Sequence, residues 1–415
     1  MTEGTYVTGA VRPERAPRWR MALTVTVVAA IGLALLTGLV HLVMPGYLPF
    51  NAMTTVWAAP HDGRAAEGGS DTWLVGDNVV RSRVDGATAY DVRSGQKRWE
   101  YLVPARAETC ASSADPAAGV ALIAHREARP KKKDCVGVVA VDLTDGRELW
   151  RTTGVSAAFL DDVVTTGGGL GVLLDDGRLR AVDLKTGTPR WMAALTKGCT
   201  PHGLGLAPKQ VVAALMCGTE ARLAAFDPVT GKARWTAPVD ARRGVDADAV
   251  LSVASADPPA VRVHEADGGA VSAVLAFGPD GRGRSRIDAV GDYGKIITTV
   301  VKDGRLYALA GSGRGLGGGS FSGVVAFDLA TGGELWRKGG GGDAFDVADG
   351  RVTVVRPSYK NGDLMFVVDA ATGDEEDGRA FRDRVASAGG VLTYQDLVIV
   401  VGGREGRPLT VYERW

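Results

Sequence analysis

A short pattern of apolar and polar positions recurs along most of the chain. Alternating apolar residues lead to an Asp, which is followed by two variable residues, a small polar residue and Gly, with a Trp eight residues after the Asp. Alternation with a period of two predicts a strand with one buried face, and Asp-x-x-(Thr/Ser/Asp)-Gly predicts a tight turn in which Gly takes a positive φ. Each copy therefore predicts two antiparallel strands joined by a turn.

Five copies of the pattern are complete and three are incomplete. The incomplete copies have Gly278 at the Asp position, Asp369 without a later Trp, and Glu413 at the Asp position. The Asp and Trp of the complete copies are Asp91 and Trp99, Asp142 and Trp150, Asp183 and Trp191, Asp227 and Trp235, and Asp328 and Trp336. Successive copies are 41 to 51 residues apart, which is the length of one four-stranded propeller blade. The sequence thus predicts an all-β fold, an eight-bladed β-propeller of four-stranded blades.

The tryptophans are expected to have a structural role. A ring of this size on the last strand of a blade can fill the wedge between neighbouring blades, with its N–H bonded to an acceptor. In the fifth copy Arg286 is expected at the Trp position, where replacement by Ala should cost little. Residues 53–58 resemble a last strand with Trp57 at the Trp position, so this segment is expected to close a propeller that spans residues 53–415.

The N-terminal region carries a long apolar run. Residues 21–40 contain no charge, and Arg12, Arg15, Arg18 and Arg20 precede them. Length and the positive-inside rule predict a cytoplasmic tail over 1–20, a transmembrane helix over 21–44 and a linker over 45–52. The expected localisation is therefore the cell membrane, with a single pass, the N-terminus in the cytoplasm and the propeller outside. A cleaved signal peptide is the alternative.

The chain has four cysteines, an even number that is typical of an exported protein with disulfides. Cys110 and Cys135 fall within one repeat, as do Cys199 and Cys217. Strands within a blade are about 5 Å apart, whereas the two repeats are separated by a whole blade, so the expected pairs are Cys110 with Cys135 and Cys199 with Cys217.

Charge and motifs restrict the function. The chain has 48 basic and 48 acidic residues, which gives no global field to attract nucleic acid. Its five histidines show no zinc-binding spacing and no Gly-x-Ser-x-Gly occurs. We therefore expect no catalytic, cofactor-binding or metal-binding residues and no nucleic-acid partner.

The repeats resemble the quinoprotein-type propeller family, whose signature is Ala-x-Asp-x-x-Thr-Gly-x-x-x-Trp. The resemblance implies one of two branches. Dehydrogenases of the family hold pyrroloquinoline quinone with calcium below a vicinal disulfide, and this chain has no adjacent cysteines. Other members are non-enzymatic propellers, such as a scaffold lipoprotein of the outer-membrane barrel-assembly machinery.

The sequence therefore favours a monomeric, membrane-tethered propeller of the non-enzymatic branch that binds or scaffolds a protein or cell-envelope partner. The alternatives are a ligand-sensing propeller that acts through a membrane partner and a quinone-dependent dehydrogenase. Loss of Trp from the fifth and seventh copies marks these two repeats as divergent, either as a specialised surface or through drift.

Overall fold

The structure is a computed structural model, and it describes most of the 415-residue chain. The described residues are 18–43, 52–61, 71–127, 134–157, 163–175, 177–240, 242–265, 271–311, 321–356, 362–385, 388–402 and 407–414. Most of the predicted cytoplasmic tail and of the predicted linker lies outside these ranges.

The one described α-helix, α1, runs over Arg18–Val43. Within the described part of the chain, no helix is both long enough and apolar enough to cross a membrane. The continuous run of described side chains covers residues 25–40, about 24 Å at 1.5 Å per residue, against a hydrocarbon core of about 30 Å. The predicted transmembrane helix over 21–44 and the single-pass localisation with an external propeller are therefore wrong.

The strands of the first three sheets follow one another in chain order, and each pairs antiparallel with the next. Sheet 1 consists of β2 (Thr72–Val75), β3 (Asn78–Arg83), β4 (Gly86–Asp91) and β5 (Lys97–Leu102). Sheet 2 consists of β6 (Glu108–Ser112), β7 (Val120–Arg126), β8 (Cys135–Asp142) and β9 (Glu148–Ala157), and a 3₁₀ turn over Pro104–Arg106 precedes it. Sheet 3 consists of β10 (Val164–Gly167), β11 (Leu170–Asp175), β12 (Arg178–Asp183) and β13 (Pro189–Ala194).

The next three sheets repeat this order, and the third of them has an additional short strand. Sheet 4 consists of β14 (Cys199–Ala207), β15 (Gln210–Cys217), β16 (Glu220–Phe226) and β17 (Ala233–Pro238). Sheet 5 consists of β18 (Val250–Ala256), β19 (Pro259–His264), β20 (Val271–Phe277) and β21 (Gly283–Asp288). Sheet 6 consists of β22 (Val290–Gly291), β23 (Gly294–Lys302), β24 (Arg305–Gly311), β25 (Gly323–Asp328) and β26 (Glu334–Gly339).

The last sheet has eight strands and contains two units of four. Quartet 7 consists of β27 (Ala344–Ala348), β28 (Arg351–Arg356), β29 (Leu364–Asp369) and β30 (Glu375–Phe381). Quartet 8 consists of β31 (Ala388–Tyr394), β32 (Leu397–Gly402), β33 (Leu409–Arg414) and β1 (Ala52–Ala58). β1 pairs antiparallel with β33 along most of its length, but it meets β30 only at two parallel pairs, Ala52 with Ala380 and Met53 with Phe381.

Burial differs between the inner and outer strands of a sheet. The second and third strands are buried on both faces, as the pattern BBBBBBBi of β15 shows, whereas the fourth strand β17 alternates as eeieie. A strand is covered on both faces when its sheet lies between two others. Apolar side chains accordingly cluster across neighbouring sheets, for example Val80 and Ala89 of sheet 1 with Ile123 and Val141 of sheet 2. These features are those of an all-β fold of stacked four-stranded sheets, consistent with a β-propeller.

Both expected disulfides are present, and each lies within one sheet. Cys199 on β14 is directly opposite Cys217 on β15, with 4.0 Å between the Cα atoms. Cys110 lies at a bulge of β6 and joins Cys135 at the start of β8, with 6.0 Å between the Cα atoms. One bond therefore links the first and second strands and the other the first and third, so the two pairs do not occupy similar places as the spacing suggested.

Candidate functional site

The repeat tryptophans share one register position on the fourth strand. Trp191 is paired with Ala181, two residues before the motif Asp, and the same register holds in sheets 1, 2, 4 and 6. Trp57 on β1 is paired with Val411, two residues before Glu413. Trp57 thus takes the Trp position of quartet 8, although it comes from a distant part of the sequence.

Each of these indole rings packs on the turn glycine of the next sheet. A Cβ on Gly187 would lie 2.8 Å from Cδ2 of Trp150, and Gly187 has a φ of +72°. Glycine is therefore required both for the turn and for the close approach of the ring. The other contacts of this kind are Trp57 with Gly95, Trp99 with Gly146, Trp191 with Gly231, Trp235 with Gly281, and Trp336 with Gly373. We call each such contact a Trp–Gly junction.

The indole N–H groups add a hydrogen bond to most junctions. Nε1 of Trp150 donates to the carbonyl of Leu184 at 2.9 Å, and Leu184 follows the motif Asp of the next sheet. The equivalent bonds run from Trp57 to Val92, from Trp191 to Pro228, from Trp235 to Pro279 and from Trp336 to Ala370. Among the described residues Nε1 of Trp99 has no partner. A Trp–Gly junction therefore combines packing with, in five of the six cases, one interstrand acceptor.

The motif aspartates bind the turns that carry these glycines. Asp183 accepts hydrogen bonds from the backbone N–H of Lys185 and Thr186 and from the hydroxyl of Thr186. Arg190 binds its second carboxylate oxygen at 2.6 Å. Arg190 first, and Thr186 next, lower the pKa of Asp183 to about 2. The carboxylate is engaged inside its own turn and does not face a cavity.

Sheet 5 departs from the pattern at two positions. Its turn is one residue shorter, so Ser285, not Arg286, pairs with Ala276 at the Trp position. Ser285 Oγ donates to the carbonyl of Leu329 at 2.6 Å, which is the bond that an indole makes elsewhere. Its Cβ lies 3.1 Å from the position of a Cβ on Gly332. A small hydroxyl thus replaces the hydrogen bond of the missing Trp but not its packing.

Arg286 has a different role from the one expected. Its guanidinium forms ion pairs with Asp240 and Asp288, each at 2.6 Å. The side chain of Asp240 is only 7% exposed, so Arg286 compensates a nearly buried carboxylate. The expectation that Arg286 occupies the Trp position is wrong, because the alignment did not allow for the shortened turn.

Quartets 7 and 8 meet without a Trp–Gly junction. Asp377 takes the Trp position on β30, opposite Val367. Its carboxylate accepts from Arg379 at 3.0 Å and from Arg414 of quartet 8 at 2.8 Å. β33 pairs with β1 and is not followed by an Asp-x-x-Thr-Gly turn. Quartet 8 therefore presents no turn glycine for a ring, and an ion pair joins the two quartets.

This arrangement leaves an open cavity of about 730 Å³ between the quartets, which we call the junction cleft. Its apolar floor is formed by Met53, Met365, Val367, Leu397 and Val398. Its charged rim is formed by Asp349, Arg351, Glu376, Arg379, Asp396 and Arg414. The rim carries both signs, and Arg351 pairs with Glu376 at 2.6 Å. An extended segment with apolar and charged side chains is the kind of ligand that these surfaces match.

The sequence contained a signal for this cleft that we did not use. The seventh repeat reads VVDAATGDEED, in which Asp377 stands where Trp is expected. We interpreted that repeat only as divergent. None of the expected structural residues, whether a motif Asp, a repeat Trp or a cysteine, lines the junction cleft.

Comparisons with known proteins agree with the repeat. The family model described as outer membrane protein assembly factor BamB matches residues 133–282. The crystal structure of BamB from Moraxella catarrhalis has 14% sequence identity, a TM-score of 0.52, and covers 87% of this chain and 100% of that chain. A europium-containing methanol dehydrogenase has 14% identity, a TM-score of 0.52, and covers 85% of each chain. In all, 1206 solved chains match, whereas no curated protein matches the sequence.

The dehydrogenase raises the question of a metal centre in this chain. Its title names europium, a hard cation, and hard cations bind several oxygen ligands, carboxylates above all. Among the described residues, no group of three or more His, Cys, Asp or Glu side chains is placed to hold a metal ion. The described residues thus do not fit the metal of that protein, and the likeness to it is one of fold.

The fold can now be assigned. The matched family segment covers less than half of the chain, and at 14% identity the structural matches inform on the fold alone. The repeat, the four-stranded sheets and the two disulfides all point the same way. Together with the family match and the structural likenesses, they support a PQQ-type β-propeller.

Proposed function

We propose that this chain is a non-catalytic scaffold that binds an extended segment of a protein partner in the junction cleft. The observation that carries the proposal is the missing Trp–Gly junction between quartets 7 and 8. Six other places in the molecule use an indole ring on a glycine to fill the same position. Here the space of about 730 Å³ stays open, between an apolar floor and a charged rim.

We also propose that the ring has eight blades and is closed by β1. Sheets 1 to 6 and quartets 7 and 8 each have one fourth strand, and a residue at the Trp register position lies on every one of them. Trp57 of quartet 8 packs on Gly95 of sheet 1 and donates to the carbonyl of Val92 at 2.7 Å. This contact would join the last blade to the first and protect the edges of both from pairing with another chain.

The edge of β30 supports a peptide ligand over a small molecule. β30 pairs with β29 along its length, but β1 covers its other edge only at Ala380 and Phe381. The N–H and C=O groups of residues 375–379 therefore have a free side that borders the cleft. An added strand satisfies such groups, and alternate side chains then meet the floor and the rim. The family description as an outer-membrane assembly factor is consistent with a partner-binding role.

The proposal can be tested by site-specific photo-crosslinking in cells that express the full chain. A photoreactive residue is placed at Glu376 or at Asp396, both on the rim, and in a control chain at Asp145, on the turn of sheet 2 beside a Trp–Gly junction. We expect one protein to be crosslinked from both rim positions and not from Asp145. Mass spectrometry identifies that protein.

Direct binding of the purified partner then tests the cleft itself. The double substitution Glu376→Lys and Asp396→Lys should weaken binding about tenfold or more, because two rim charges change sign. Substitution of Asp145 by Lys is the matched control and should leave binding unchanged. Crosslinking of the same proteins from all three positions, or equal binding by all variants, would refute the cleft as the site.

A further inference from the structure

A second departure from the repeat lies in sheet 5, on the opposite side of the sequence pattern from the junction cleft. In sheets 1, 3 and 4 an arginine directly before the Trp binds the motif Asp of its own turn. The pairs are Arg98 with Asp91, Arg190 with Asp183, and Arg234 with Asp227, at 2.5 to 2.6 Å. The repeat thus contains a standard site in which one guanidinium holds one carboxylate.

Sheet 5 keeps the arginine of this pair and lacks its carboxylate. Arg284 precedes Ser285, the residue at the Trp position, and the motif Asp is replaced by Gly278. The guanidinium lies where an aspartate would be, since a Cβ on Gly278 would be 2.9 Å from Nε of Arg284. Among the described residues, Arg284 forms no ion pair and no side-chain hydrogen bond.

Arg284 borders a pocket of about 400 Å³ between β17 and β21. Three more arginines line it, Arg242, Arg282 and Arg286, against a single carboxylate, Asp240, which Arg286 already binds. Arg282 is 88% exposed and its partner Asp280 is 3.4 Å away, so this pair leaves the guanidinium accessible. The pocket therefore carries an excess of positive charge that the chain itself does not neutralise.

One wall of the pocket is apolar, formed by Ala237, Pro238, Val239 and Leu275. An arginine pocket with an apolar wall matches a carboxylate on a hydrocarbon stem, because a guanidinium binds a carboxylate through two parallel hydrogen bonds while the stem packs on the wall. The volume is sufficient for two or three such side chains, given about 30 Å³ for each water displaced.

We infer that this arginine pocket binds Asp and Glu side chains of an acidic peptide segment, which supply the carboxylate that Gly278 lacks. The inference rests on the proposed protein-binding function for the nature of the ligand, and it names a second contact apart from the junction cleft. The carboxylate is favoured over phosphate because the three equivalent arginines all bind carboxylates and because Asp240 opposes a doubly charged group.

The test is a titration of the purified chain with a fluorescent peptide of alternating Glu and Ala at about 0.15 M salt. Arg284→Gln should weaken binding about 10- to 100-fold, the equivalent of one charge-assisted hydrogen bond. Arg234→Gln is the matched control, since the same register position in sheet 4 is occupied by an internal pair. It should bind the peptide as the wild type does.

A third variant distinguishes loss of the site from loss of the fold. Gly278→Asp restores the internal carboxylate, and the atoms nearest to its Cβ are ends of flexible side chains, Asp280 Oδ1 and Arg284 Nε. We expect this variant to keep the melting temperature of the wild type or exceed it, and to lose peptide binding as Arg284→Gln does.

Three results would overturn the inference. The first is the absence of peptide binding to the wild type, the second is equal binding by Arg284→Gln and Arg234→Gln, and the third is tighter binding of inorganic phosphate or of an oligonucleotide than of the peptide. The outcome is independent of the crosslinking experiment, because the peptide titration needs neither the cellular partner nor the junction cleft. The two proposals can therefore fail separately.

Discussion

The contact between sheets 2 and 3 differs from that between quartets 7 and 8 in what fills the space at the Trp position. Trp150 packs on Gly187 and donates to the carbonyl of Leu184, so ring, turn and acceptor form one dry contact. At the equivalent place Asp377 binds Arg414 across an open cleft. The first contact holds neighbouring sheets together, whereas the second leaves a surface on which another molecule can bind.

The contact between sheets 5 and 6 lies between these two extremes. Ser285 retains the hydrogen bond to the carbonyl of Leu329, but it has no ring to pack on Gly332. Within one chain the same position is thus occupied by a Trp, a Ser or an Asp. The comparison suggests that the ring supplies most of the stability of a junction, and substitutions at each kind can measure this.

The largest effect is expected for Trp336→Ala. Trp336 is 9% exposed, contacts Tyr307 with 6.1 Å between ring centroids, and donates to the carbonyl of Ala370. Removal of a buried aromatic side chain costs about 3–5 kcal/mol of unfolding free energy. Urea denaturation of the purified chain measures the loss.

Ser285→Ala is the counterpart of Trp336→Ala at the junction without a ring. It removes one hydrogen bond and should cost about 1 kcal/mol. If both variants lost the same free energy of unfolding, the indole rings would not be the main source of stability at the junctions.

The second effect separates ring contact from backbone strain. Gly373 and Gly332 have φ values of +77° and +74°, so an alanine is similarly strained at either position. A Cβ on Gly373 would lie 2.7 Å from Cδ2 of Trp336, whereas on Gly332 the nearest atom is Cβ of Ser285 at 3.1 Å. Gly373→Ala should therefore cost about 2 kcal/mol more than Gly332→Ala, the usual penalty for overpacking. Equal midpoints in thermal unfolding would contradict the close approach of the ring.

The third effect concerns Arg286, which we first expected to be dispensable. Arg286→Ala removes the ion-pair partner of Asp240, whose side chain is 7% exposed, and should cost about 1.5 kcal/mol. Arg282→Ala is the matched control, because Arg282 is 88% exposed and its loss should change the stability by less than about 0.5 kcal/mol. Indistinguishable denaturation curves for the two variants would restore the first expectation.

The smallest effect is a pH dependence that Asp183 contributes. Arg190 and Thr186 hold its pKa at about 2 in the folded chain, against about 4 in an unfolded one. The group therefore stabilises the fold fully above about pH 4, and this contribution is lost as the pH falls through about 2. Asp183→Asn should lose less stability than the wild type between these pH values. Asp248→Asn, at an exposed residue without a hydrogen bond among the described residues, should follow the wild type.

The repeat made much of the fold predictable, because its signal is local. A strand, an Asp turn and a Trp lie within twelve residues, so the strands and the Trp positions can be identified from neighbouring side chains alone. The disulfide pairs followed from the same spacing. The prediction failed for Arg286, where a turn one residue shorter moved Ser285 into the Trp position, and for the transmembrane helix over 21–44.

Sequence by itself determined the order of strands, the turns and the residues that could form junctions, since each depends on periodicity and on the φ that Gly alone adopts easily. The tertiary structure decided which junctions were closed. Asp377 becomes part of a cleft only because β1 returns from a distant part of the chain to pair with β33, and Arg284 becomes unpaired only because Gly278 lies beneath it. Both depend on groups that are remote or absent in the sequence, and a local pattern carries no information about them.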